Sequence, residues 1–159
     1  MKMRFPILPS FIIMKKININ KKTIEEKIKL IELHLGRLKE MSLLSQREIT
    51  NERNFAYAAW NLRGALESTF NICTHILSRI PGVKIDEYKQ MAIDMGKQRI
   101  VAKEFAEEKL VKMAGYRNRL THFYFEVTPK EMYGVIQNNL SDFDIFMKSI
   151  KKLLRPVPK

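Results

Sequence analysis

Residues 51–79 read NERNFAYAAWNLRGALESTFNICTHILSR. Phe55, Ala59, Leu62, Leu66, Phe70, Cys73 and Ile76 recur in steps of three or four, with Leu77 beside them and Ile80 at the very end. A strand alternates apolar and polar residues, whereas this spacing puts one apolar stripe on a long helix. Pro81-Gly82 then stops it. Such a helix needs other helices to cover its stripe, and the flanking sequence supplies them.

Upstream, Ile24, Ile28, Ile31, Leu35 and Leu38 predict a helix over 24–41, with Thr23 and Glu26 as a capping box. Ser42 and Ser45 mark a short break. Downstream, a third helix is predicted over 86–95, with Asp86 and Glu87 suiting its positive end and Gly96 as its stop. A fourth is predicted over 102–122. Thr128-Pro129-Lys130-Glu131 is the clearest start signal in the chain: a cap, a proline in the first turn and a capping-box glutamate. A fifth helix follows it through Met132, Val135, Ile136, Leu140, Phe143, Phe146, Ile150 and Leu153–Leu154, ending before Pro156. No strand alternation, repeat or low-complexity tract appears. The predicted fold is all-α, an antiparallel bundle of four to five helices.

The 159 residues suit one domain. Apolar residues at 45% and charged residues at 29% are those of an ordinary globular protein, and the few glycines and prolines exclude collagen-like and Pro/Gly-rich disordered chains. The single cysteine, Cys73, excludes an intramolecular disulfide framework and a cysteine-rich zinc site. The formal net charge is +12. Residues 1–22 hold six cations and 148–159 hold five, with no acid in either, so the body over 23–147 is left near +1. Charge alone therefore gives weak support for nucleic-acid binding.

Phe5 to Met14 is apolar but too short to span a bilayer, which takes about 20 residues. Lys15 and Lys16 follow at once, with no cleavage site of small residues. Residues 1–22 read as a basic leader, with 1–13 an upstream-start artefact or a disordered extension. Residues 23–155 read as a single helical domain, without a membrane and in the cytoplasm.

No Gly-rich phosphate loop and no His-Glu-x-x-His occur, and His34, His75 and His122 are never three or four residues apart. A metal site is not expected, and no cofactor is. His34 reads as a boundary residue, Cys73 as core and Trp60 as a core or interface anchor rather than a stacking platform.

Residues 113–126, MAGYRNRLTHFYFE, concentrate the chemistry. Arg117 is always charged and can fork onto a phosphate. His122 can exchange a proton near neutral pH. Metal-free RNA cleavage needs those two functions: a base for the 2′-hydroxyl and a cation for the developing charge. The two residues are five apart, about 140° round an ideal helix. They converge if Arg117 reaches round, if the helix loosens near His122, or if a second subunit completes the pocket. Asn118, four before His122, can orient the imidazole. Tyr124 is seven after Arg117, on its face. The residues leave a bland reading open, with solvated Arg117 and Arg119 and His122 satisfying helix C-terminal carbonyls.

The run Arg117-Asn118-Arg119-Leu120-Thr121-His122-Phe123-Tyr124 resembles the Arg, four residues, His, one residue, Tyr signature of HepT-like toxins, members of the HEPN superfamily of all-α ribonucleases. The resemblance extends over most of 24–154 and leaves out 1–22. It implies a metal-independent endoribonuclease acting on cellular RNA, with tRNA as the substrate class, and a homodimer whose two motifs face one cleft. It implies Arg117 as the phosphate-binding cation, His122 as the acid/base residue and Asn118 as their support. It further implies an MNT-type nucleotidyltransferase antitoxin as partner, which transfers AMP to the tyrosine, here Tyr124. An acidic or polar residue on the preceding helix supports the motif in such proteins, and Asp94 is the candidate here, with Arg119 a further one. Lys109, Lys112, Arg117 and Arg119 are the cations from which a local RNA cleft can be built. The competing reading is a non-catalytic helical module that binds a nucleotidyltransferase or RNA without cutting it.

Overall fold

The computed structural model describes residues 17–122 and 126–156. Among these the chain is helical without strands. The elements are α1 (Lys21–Met41), α2 (Gln46–Thr50), α3 (Glu52–Leu77) and α4 (Tyr88–Lys97). Next comes α5, one rod over 103–122 built from an α-turn (Lys103–Phe105), a π-turn (Ala106–Leu110) and an α-helix (Val111–His122). The chain closes with α6 (Pro129–Asn138) and α7 (Ser141–Leu154).

The long helix read from 51–79 is the spine. It packs along α1 and also meets α2, α4, α5 and α6. Leu62, Leu66, Phe70, Cys73, Ile76 and Leu77 are buried on it, as the stripe requires. The α1–α3 seam is close because residue 64 has no side chain. A Cβ there would stand 2.6 and 2.8 Å from Cε1 and Cδ2 of His34. His34 lies half-buried over that gap, its Nδ1 3.0 Å from Oδ1 of the fully buried Asn61. Asn61 also donates to the Tyr57 carbonyl at 2.8 Å, so the amide is satisfied inside the seam.

Several boundaries differ from the sequence expectation, each for a local reason. The first helix starts earlier than residue 24, because Asn20 rather than Thr23 caps it; the Asn20 side chain accepts from the Thr23 amide at 3.1 Å. The break after Met41 contains a helix of its own, α2, closed by a full capping box between Ser45 and Glu48. The fifth predicted helix is two, divided at Asn139–Leu140. Its apolar steps stay compatible with one helix across the division, so periodicity alone hides the break. Trp60 is not core: it stands 64% exposed on α3. Thr128 does cap α6, accepting from the Glu131 amide at 3.1 Å, with Pro129 as the first residue of the helix.

Candidate functional site

Arg117 to His122 occupy the last turns of α5, where three helices meet. Arg117 is half-buried, and its guanidinium carbon lies 4.1 Å from the centroid of the Tyr88 ring. Tyr88 is the first residue of α4, and it packs edge-on against the buried Phe70 of α3, with ring centroids 5.5 Å apart at 79°. A core aromatic thus braces a second aromatic, whose face carries the cation. This is a favourable cation–π arrangement. Nη1 of Arg117 donates to Oδ1 of Asn118 at 3.4 Å. Nε of Arg117 is buried without a hydrogen-bond partner among the described residues. The guanidinium is held by a ring face and one long hydrogen bond, which leaves donor capacity for an anion.

His122 is exposed and ends the helix. Lys89, next to Tyr88, adds a cation on the same flank: a Cβ at Gly115 would stand 3.7 Å from its Cε. Tyr124 lies outside the described residues.

Arg119 points elsewhere. It forms an ion pair with Glu131 of α6, with Nη2 donating to Oε2 at 3.0 Å and Nη1 to Oε1. Tyr116 donates its hydroxyl to the same carboxylate at 2.7 Å, and Arg119 donates to the Glu126 carbonyl at 3.3 Å. The Arg119 guanidinium holds the Glu131 carboxyl below the ordinary carboxylate range, helped by the Tyr116 hydroxyl and opposed by partial burial. Burial, followed by the bond to Glu131, pushes the Tyr116 phenol up to about 12. The triad is a latch from α5 to the first turn of α6, across the segment that follows His122.

Asp94 sits half-buried on α4 and accepts from the Gln90 side chain at 3.1 Å. Lys109 and Lys112 line a cavity toward α3 and α7, apart from Arg117. The four cations expected to form one cleft are therefore divided among three surroundings. Sequence reasoning missed Tyr88. Its one signal was an aromatic residue at the start of a helix, which says nothing about what the ring faces.

A family model described as "Ribonuclease HepT-like" matches residues 24–150. A curated relative, the tRNA nuclease HepT of Aphanizomenon flos-aquae (strain 2012/KM1/D3), is 26% identical over 145 residues, which cover 86% of this chain and 93% of that protein. Among the described residues no helix is long and apolar enough to cross a membrane.

Proposed function

Since this chain belongs to the HepT-like ribonuclease family of the HEPN superfamily and is an endoribonuclease, we propose that it is the toxin of a toxin–antitoxin pair and cuts tRNA in the cytoplasm, without a metal, through Arg117 and His122. The observation that carries the assignment is the Arg117 guanidinium. It is fixed on the Tyr88 ring with one long hydrogen bond, to Asn118, among the described residues, on the helix that His122 ends.

In the proposed reaction neutral His122 accepts the proton of a ribose 2′-hydroxyl. The 2′-oxygen attacks the adjacent phosphorus, and the bond from phosphorus to the 5′-oxygen breaks. The leaving oxygen takes a proton from an imidazolium, and the product carries a 2′,3′-cyclic phosphate. Arg117 stabilises the charge that develops on the phosphoryl oxygens. A second copy of the chain, facing the first, supplies the opposite wall of the cleft and a second imidazole. Asn118 orients the guanidinium it touches. Arg119 acts at one remove, through Glu131, by fixing the end of α5.

The proposed partner is an MNT-type nucleotidyltransferase. Control follows if the phenol oxygen of Tyr124 attacks the α-phosphorus of ATP and pyrophosphate leaves. The added phosphate places bulk and negative charge two residues from His122, where it repels RNA.

The deciding experiment incubates the purified chain with bulk tRNA in EDTA, beside His122→Ala and Arg117→Ala. Cleavage by the wild type, with cyclic phosphate ends, and by neither variant supports the reading. Equal cleavage by His122→Ala overturns the catalytic assignment. An inactive wild type whose intact mass carries no added AMP leaves the non-catalytic module in its place.

A further inference from the structure

Between α3, α5, α6 and α7 lies a cavity of about 260 Å³ that none of Arg117, Asn118 and His122 lines. Leu62, Leu66 and Phe143 give it apolar walls. Lys109, Lys112, Met113 and Tyr116 line it from α5, in the i, i+3, i+4, i+7 pattern of one helix face. The π-turn over Ala106–Leu110 holds Lys109, so the lysine end of this stripe is set by a local departure from α-helical register.

The informative residue is Asp142. It is 8% exposed and lines the cavity, and its carboxylate meets neither a hydrogen-bond donor nor a cation among the described residues. The side chain is packed on most sides, but its carboxylate oxygens are not sealed in and open onto the cavity. Here the missing complement has a space to occupy. Whatever fills it must bring N–H donors to Asp142, apolar faces to the walls, and negative charge to the two lysines. A simple cation can pair with Asp142 but brings neither N–H donors nor negative charge. An inorganic anion meets the third and fails the first.

The geometry points to a guanine nucleotide site. The Watson–Crick edge of guanine presents N1–H and the N2 amino group as two parallel donors, which match the two oxygens of one carboxylate. Adenine presents one amino donor beside an acceptor, and inosine lacks the amino group. The planar base lies against Leu62, Leu66 and Phe143. Asn139, also on the lining, can donate to the guanine O6. The phosphate reaches Lys109 and Lys112. The volume is just below the ~300–1,000 Å³ typical of pockets for drug-sized ligands, which suits one base and not two. The nucleotide is either free or a guanosine within an RNA chain, and only the second source rests on the ribonuclease reading.

The test titrates the full-length protein with GMP, IMP and AMP by calorimetry. GMP is expected to bind at least tenfold more tightly than IMP or AMP. Asp142→Asn, which keeps the side-chain shape but replaces one acceptor by a donor, is expected to erase that preference. Lys112→Ala, at an exposed position, is expected to weaken GMP and AMP alike about threefold and leave their ratio unchanged. A second arm compares an RNA oligonucleotide holding one guanosine with its inosine counterpart, on the His122→Ala protein. A tenfold difference assigns the site to RNA, whereas equal affinity beside an intact GMP preference assigns it to the free nucleotide. Equal binding of GMP and AMP, or a preference that survives Asp142→Asn, overturns the proposal. So does a protein indifferent to GMP that Asp142→Asn destabilises, since Asp142 is then the ion-pair partner of Lys109 or Lys112. Binding is read without cleavage, so failure here is distinguishable from failure of the ribonuclease reading.

Discussion

Arg117 and Tyr88 stand on different helices, yet the guanidinium carbon of one lies 4.1 Å from the ring centroid of the other. The ring is anchored by Phe70 of the core, so the position of the cation is set by packing that begins on α3. A guanidinium held by a ring face keeps Nη2 for a phosphate, whereas a bidentate carboxylate would occupy it.

Replacing Tyr88 by Leu removes that face. A cation–π contact is worth about 0.5–2 kcal/mol, so tRNA cleavage should fall about 2- to 30-fold if the contact is fully expressed in the transition state. Tyr88→Phe keeps the face and should retain most of the rate. Single-turnover initial rates measure both. A loss in Phe equal to that in Leu would point to the hydroxyl and reject the positioning role of the ring.

The latch of Tyr116, Arg119 and Glu131 makes a prediction about pH. The Glu131 carboxyl is held below its ordinary range, so its contribution is complete above the unfolded value near 4.5 and is lost as pH falls through the folded one. The Tyr116 phenol is raised to about 12, so its contribution is complete below its unfolded value near 10 and fades between there and about 12. The Arg119 and Glu131 side chains are 33% and 30% exposed, and solvent screening reduces the pair to about 1 kcal/mol. Glu131→Gln should therefore lower the melting temperature by about 2–4 °C at pH 7. The gap should close as pH falls below 4.5 and through the folded value of Glu131. A gap independent of pH would show that shape, not charge, holds α5 to α6.

The bundle was legible in sequence because its cause is periodic. The stripe from Phe55 to Ile76 and the one from Ile24 to Leu38 each state a helix and its buried face. Punctuation was legible where a proline reinforces the cap, as at Thr128-Pro129. Asn20 and Ser45 act through side-chain hydrogen bonds that compete with equally plausible neighbours, which displaced one start and concealed α2, while the division before α7 has no side-chain cap to mark it. The motif residues could be named because they are close in sequence. Their surroundings could not: the ring under Arg117 comes from residue 88 and the carboxylate on Arg119 from residue 131. Neither pairing leaves a spacing that a single chain displays.

Gly64 allows a sharp test of the α1–α3 seam. Gly64→Ala drives a methyl group into the His34 ring, which the bond to Asn61 holds in place. Overpacking of this kind costs about 1–3 kcal/mol. Urea denaturation should show that loss, and adding His34→Ala should recover part of it, since the two residues share one space. Strict additivity of the two changes would mean that the ring moves aside without cost.

The charge distribution sets the last expectation. The ends of the chain hold eleven of the twelve net charges, yet the proposed chemistry sits in the nearly neutral body. If the ends bind RNA, they supply affinity without cutting. Removing residues 1–13 and 155–159 deletes Lys2, Arg4, Arg155 and Lys159. Each phosphate contact contributes about 0.7–0.9 to the slope of log K against log salt. Binding of tRNA by the truncated His122→Ala protein should therefore lose up to about 3 from that slope, most visibly at low salt. Arg117→Ala in the full-length chain should lose about 1, because one guanidinium meets one phosphate. An unchanged slope on truncation would assign the ends no contact with RNA. An unchanged slope for Arg117→Ala, beside lost cleavage, would mean that the guanidinium meets phosphate only in the transition state.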